Sequence, residues 1–196
     1  MTVSTKNIAM ASAFNLPNQL TAMRLALSVV LFALIALKFY LASFVVFLVA
    51  ASTDWVDGYL ARRYSMVTTL GRILDPFADK IIVCGSFIFL AAIPELHRYL
   101  PAWMVVVIVG RELLVTALRS FLEQQGADFS ATMSGKLKMV LQCVAIGTAL
   151  FYLSYEPDAV PEIIEYLLLA SVWAAVLLTI YSGYVYVRAA VNMMNG

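Results

Sequence analysis

The sequence predicts an all-α integral membrane protein of about six transmembrane helices, with a cavity on the cytoplasmic side, and three observations lead there. Of its 196 residues, 63% are hydrophobic and 13% charged, whereas soluble domains carry roughly 25% charged residues. Apolar runs recur along the whole chain, separated by short links rich in proline or basic residues. At roughly 20 residues per span, the length suits about six crossings in one domain covering residues 1–196.

The elements follow in order. Residues 1–17 are expected to be an N-terminal cytoplasmic or interfacial segment, because Met1 to Ala13 is polar-to-small and unpatterned. A cleaved signal peptide is not expected, since a second hydrophobic segment follows Leu25–Leu37 almost at once. The first helix is placed over Leu20–Tyr40 and the second over Leu41–Arg63. The third is placed over Thr69–Ile93, with Pro94 and Pro101 bracketing the link that follows. The fourth covers Pro101–Leu122 and the fifth Thr132–Ser154; Pro157 and Pro161 then bracket a link before the sixth, Glu162–Ala190. Proline pairs mark loops because proline lacks an amide donor and restricts the residue before it.

Basic residues set the expected orientation. Arg62, Arg63, Arg72, Arg119, Lys136, Lys138 and Arg188 fall on one side, while the opposite links carry only Lys38 and Arg98, with Glu95, Glu156, Asp158 and Glu162 among them. The positive-inside rule places both termini and the arginine-rich links in the cytoplasm. A net charge of +1 supplies no bulk basic field to recruit nucleic acid. Cys84 and Cys143 both lie in apolar runs and read as packed thiols rather than a disulfide, and His97 is assigned no chemistry.

The chemistry concentrates in one stretch: Asp54-x2-Asp57-Gly58-x2-Ala61-Arg62-x8-Gly71-x3-Asp75-x3-Asp79. A carboxylate in a membrane helix costs roughly 2.5–3.5 kcal/mol at the centre on insertion scales, so four need compensation. Asp54 and Asp57 are three apart and Asp75 and Asp79 four apart, so each pair projects from one helix face. In a hairpin turning near Met66 and Val67, Asp54 matches Asp79 in height, Asp57 matches Asp75, and Ala61 matches Gly71. Such close carboxylates ionise together only if positive charge compensates them. Hard divalent cations with oxygen ligands are the natural partners, and the absence of cysteine and histidine from the cluster argues against zinc. A structural cation site, or protonated carboxylates in an ion-translocating protein, would leave Gly58, Ala61, Arg62 and Gly71 unexplained.

These residues resemble the signature of the CDP-alcohol phosphotransferases, matching all eight fixed positions over 26 residues. The resemblance implies a membrane enzyme that moves a phosphatidyl or similar group from a CDP-linked donor to an alcohol. It implies that Asp54, Asp57 and Asp75 hold Mg2+ or Mn2+, as a pair of ions, with Asp79 as ligand or base. Gly58, Ala61, Arg62 and Gly71 would shape the nucleotide pocket. Physical reasoning adds that a carboxylate must take the proton of the attacking hydroxyl. Asp79 suits this best, lying in the layer further from the end marked by Gly58 and Arg62.

A second resemblance is to one branch, the bacterial phosphatidylglycerophosphate synthases. It rests on Asn18-x2-Thr21-x2-Arg24, Gly110-Arg111-Glu112 leading to Arg119, and Gly135-Lys136-Leu137-Lys138 leading to Gln142, with Met139 where threonine is usual. It implies CDP-diacylglycerol as donor, with Thr21 and Arg24 assisting, and sn-glycerol 3-phosphate as acceptor. Arg111, Arg119, Lys136 and Lys138 are the residues expected to bind the acceptor, although the last three also fit positive-inside anchors. The bacterial inner membrane and a homodimer are further implications. A sibling enzyme with another acceptor (a cardiolipin synthase or an inositol-phosphate type) remains open. So does a cation-coupled carrier, although the paired repeats expected of carriers are not visible.

Overall fold

The computed structural model describes the backbone of residues 16–64, 69–124 and 133–194, and the side chains of residues 22–52, 80–122 and 135–193. Its six α-helices are α1 (Leu16–Ala36), α2 (Tyr40–Tyr64), α3 (Thr69–Ala91), α4 (Ala102–Gln124), α5 (Met133–Leu153) and α6 (Glu162–Met194). Short 3-10 turns at Pro94–Leu96 and Pro157–Ala159 precede α4 and α6. No strand occurs among the described residues. The chain is divided by its contacts into two compact units, Met1–Ser86 and Phe87–Gly196, with the division inside α3.

In the first unit, α1 packs against α2. Arg24, Ser28, Leu31 and Ile35 are buried at helical spacing on α1, and Ser43, Phe47 and Ala50 on α2. The hydroxyls of Ser28 and Ser43 donate to the carbonyls of Arg24 and Phe39 four residues back, at 2.8 and 2.9 Å. That local bond lets each serine sit inside an apolar helix without an orphaned polar group. On α3, Gly85 provides space: a Cβ there would stand 2.2 Å from the ring of Phe32.

The first helix ends four residues earlier than Tyr40, for a reason no glycine announces. Lys38 takes φ 62°. Its N–H donates to Ile35 O at 3.0 Å, and that of Phe39 to Leu34 O at 2.9 Å. This is the Schellman arrangement that stops a helix.

In the second unit, α6 packs against both α4 and α5. Ala145 and Ala149 on α5 and Ala175 on α6 are at most 1% exposed, and such small residues allow close helix approach. Pro101 and Pro161 stand just before α4 and α6, and their carbonyls accept from Met104 and Ile164 at 3.0 and 2.9 Å. The proline pairs therefore mark loops, as expected. The outward faces remain apolar: Val29, Val45, Val106, Leu113, Val140, Leu167, Leu177 and Tyr181 are all exposed. Among the described residues, Gly135–Leu153 and Glu162–Met193 are long and apolar enough to cross a membrane. Shorter apolar helical stretches run over Ala22–Ala36, Tyr40–Ser52 and Lys80–Ala91.

Candidate active site

The acidic motif falls within two helices. α2 is helical through positions 54, 57, 58, 61 and 62, and α3 through 71, 75 and 79. Continuous helix is the condition under which spacings of three and four share a face. The side chains of Thr21, Asp54, Asp57, Gly58, Ala61, Arg62, Gly71, Asp75 and Asp79 lie outside the described residues, as does the turn expected at 65–68. An all-oxygen donor set carried on regular helix fits a hard divalent cation. Arg24 is described: it is 8% exposed on α1.

The second unit holds a buried ionic network. The Glu112 carboxylate on α4 is its hub, and one oxygen, Oε1, serves three donors. Lys138 Nζ from α5 donates to it, Arg111 Nη1 lies 3.5 Å away, and Gln142 Nε2 reaches it at 3.4 Å. Gln142 also donates to Thr179 Oγ1 of α6 at 3.2 Å. The Glu112 and Lys138 side chains are 7% and 6% exposed, so this pair is shielded from screening by water.

A second cluster adjoins the first through Arg111. Arg119 Nη2 donates to the Tyr186 hydroxyl at 3.1 Å. The guanidinium carbons of Arg111 and Arg119 lie 5.4 and 5.8 Å from the Tyr186 ring centroid, within cation–π range. Arg111 Nε and Nη2 and Arg119 Nε are buried with no hydrogen-bond partner among the described residues. Gly183 makes room for the Arg111 stem, since a Cβ there would meet Arg111 Cγ at 3.1 Å.

Of the four cations expected at the acceptor, the structure brings together Arg111, Arg119 and Lys138. Lys136 is exposed and outside the network. Residues two apart on a helix point about 200° apart, so burying Lys138 turns Lys136 outward. Of the network's other members, Glu112 and Gln142 carry the second resemblance without an assigned role, and Thr179, Gly183 and Tyr186 are not singled out by the sequence. One signal could have found those on α6: Thr179, Ser182, Gly183 and Tyr186 follow the i, i+3, i+4, i+7 rule, a polar and small stripe in an apolar helix.

The first unit carries the acidic motif on regular helix and the second a buried cation cluster. Comparison with known proteins gives the family. The CDP-alcohol phosphatidyltransferase family model matches residues 14–181, and the chain belongs to that family of membrane-bound enzymes. It is similar to the CDP-diacylglycerol–glycerol-3-phosphate 3-phosphatidyltransferase of Bacillus subtilis (strain 168), 37% identical over 189 residues, covering 88% of this chain and 93% of the relative. Proteins of the same name from Pectobacterium atrosepticum and Escherichia coli K12 are each 33% identical over 186 residues, covering 90% of this chain and 95% of theirs.

Proposed function

We propose that this chain transfers the phosphatidyl group of CDP-diacylglycerol to sn-glycerol 3-phosphate, giving phosphatidylglycerophosphate and CMP. The observation that carries the acceptor is the charge of the buried network. Arg111 and Lys138 face one carboxylate, Glu112, and Arg119 joins Arg111 at Tyr186, so the cluster carries two positive charges in excess among the described residues. Three of the arginine nitrogens there lack partners among the described residues, and unpartnered buried donors are costly unless a ligand satisfies them. A phosphate monoester carries close to two negative charges and accepts such donors in a bidentate manner. Arg111, Arg119 and Lys138 would hold that phosphate, with the exposed Lys136 attracting it from solution.

Asp54, Asp57, Asp75 and Asp79 are the residues that would hold Mg2+ or Mn2+, as a pair of ions. Bound divalent metal neutralises the donor pyrophosphate and stabilises the charge that develops on its oxygens. Gly58, Ala61, Arg62 and Gly71 would shape the nucleotide pocket, the glycines letting the nucleotide approach the backbone and Arg62 gripping a phosphate. Thr21 and Arg24 serve the same donor. Asp79 takes the proton of the attacking hydroxyl as its oxygen bonds to the phosphorus bearing diacylglycerol. The bond from that phosphorus to CMP breaks, and CMP leaves.

Purified protein in vesicles with CDP-diacylglycerol and a panel of alcohols tests the reading. CMP release should require glycerol 3-phosphate; equal release with glycerol, phosphatidylglycerol or an inositol phosphate would assign another acceptor. The enzyme would lie in the bacterial inner membrane as a homodimer, with six spans and with both termini and a substrate cavity cytoplasmic. Cysteines placed singly at Met66 and Asp158 should label from opposite sides of sealed vesicles, and labelling from one side would overturn that topology.

A further inference from the structure

Arg111 and Arg119 are eight residues apart, about 12 Å along α4. Their side chains nonetheless reach one ring, that of Tyr186, at 5.4 and 5.8 Å. Between them stands Val115, which is 6% exposed and offers neither cation a polar partner. Two guanidinium groups drawn together repel, and Arg111 has an alternative anion in Glu112, 3.5 Å from its Nη1. What holds both arginines toward one point is the negative face of the ring, together with the hydroxyl that accepts from Arg119 at 3.1 Å. Tyr186 is itself fixed, being 2% exposed. One turn earlier, Gly183 leaves the space that the Arg111 stem occupies. Both residues lie beyond residue 181, where the family match ends.

We infer that Tyr186 is a positioning residue that sets acceptor specificity: its ring and hydroxyl aim Arg111 and Arg119 jointly at the phosphate of a phosphomonoester alcohol. This rests on the reading that those arginines bind the acceptor phosphate. Without the ring, Arg111 keeps only its contact with Glu112 and Arg119 loses its hydrogen-bond acceptor, so the acceptor end of the site is disarmed. The donor end is untouched.

The test compares Tyr186→Leu, Tyr186→Phe and Arg119→Ala in the full-length protein in CDP-diacylglycerol vesicles, varying each substrate separately. Tyr186→Leu should raise the KM for glycerol 3-phosphate roughly tenfold, from loss of a desolvated cation–π contact. Its kcat and its donor KM should stay within about twofold of wild type. Tyr186→Phe keeps the ring and loses one hydrogen bond, so it should raise the same KM only about threefold. Preference for glycerol 3-phosphate over glycerol should fall in parallel. Should Tyr186→Leu fail to fold, the acceptor-only shift in Tyr186→Phe still decides the matter. The inference is overturned if Arg119→Ala raises the acceptor KM while neither Tyr186 variant does. It is also overturned if the Tyr186 variants change both KM values and kcat alike, as loosened packing would. An unchanged acceptor KM in Arg119→Ala would instead remove the phosphate-site reading, and this inference with it.

Discussion

Replacing Glu112 should damage the second unit more than replacing any cation it binds, because one oxygen serves three donors. Glu112→Gln keeps the shape and a carbonyl acceptor but removes the only carboxylate facing Arg111 and Lys138 among the described residues. Two effects of different size compete. Interhelical hydrogen bonds in a bilayer average about 0.6 kcal/mol, so weakened bonds to Gln142 and Lys138 alone would cost little. Charges about 4 Å apart, however, attract by about 4 kcal/mol at an effective dielectric constant near 20, and orphaning a buried charge costs about 3–5 kcal/mol. The charge effect wins, and the expected loss is about 3 kcal/mol. Lys138→Met should cost less, about 1–2 kcal/mol, because Glu112 keeps Arg111 and Gln142. In the double variant the lysine charge is gone together with the carboxylate, so the two losses should fall short of additive by about 1.5 kcal/mol or more. Unfolding of the four proteins in detergent micelles, followed by circular dichroism against denaturant, measures all three quantities. Losses additive within about 0.5 kcal/mol, or a Lys138→Met cost equal to that of Glu112→Gln, would refute the shared-carboxylate account.

Asp57→Asn and Asp75→Asn should each abolish CMP release while leaving inserted, folded protein, since a neutral amide oxygen is a weak ligand for a hard cation; near-wild-type turnover at saturating magnesium would remove the metal assignment. Lys38→Gly should stabilise the protein by about 0.5–1 kcal/mol in the same unfolding assay, because a residue with a Cβ is strained in the left-handed region, and Lys38→Ala should give no gain. Burial, with Glu165 and Tyr152 beside it, pushes the Tyr99 phenol up from 10.0 to about 12. A raised folded-state value means this contribution to stability is complete below pH 10 and lost between 10 and about 12. Tyr99→Phe should flatten stability over that window, and an unchanged alkaline profile would show that Tyr99 titrates freely.

Helix positions were legible because lipid-facing and core-facing surfaces are both apolar, so spans stand out as runs and proline marks the links. The expected fourth and fifth helices differ from α4 and α5 by at most two residues at either end. The first was misplaced by four residues at both ends. Its stop depends on the left-handed conformation of Lys38, and lysine carries no sequence signal for that conformation where glycine would. The sixth helix runs four residues past Ala190 to Met194, through Val191, Asn192 and Met193, which contain no breaker.

The candidate site was legible in proportion to how much its residues cost where they stand. A carboxylate or an arginine deep in an apolar run demands compensation, so the four aspartates and Arg111 drew notice from charge alone. The partners of Arg111 did not. Glu112 is its immediate neighbour, and adjacent residues point about 100° apart on a helix, so spacing gives no reason to pair them. They converge because Lys138, from another helix, draws the carboxylate inward, and which helices meet is not written in any one of them. Tyr186 and Gly183 were harder still. A tyrosine and a glycine in an apolar helix look like ordinary packing until a guanidinium is found against each. What the sequence does carry is the face they share with Thr179 and Ser182. A polar and small stripe on one side of a membrane helix is costly against lipid, so it must be turned inward toward a charged group. On this helix that group is Arg111, whose stem rests on Gly183 and whose head rests on Tyr186.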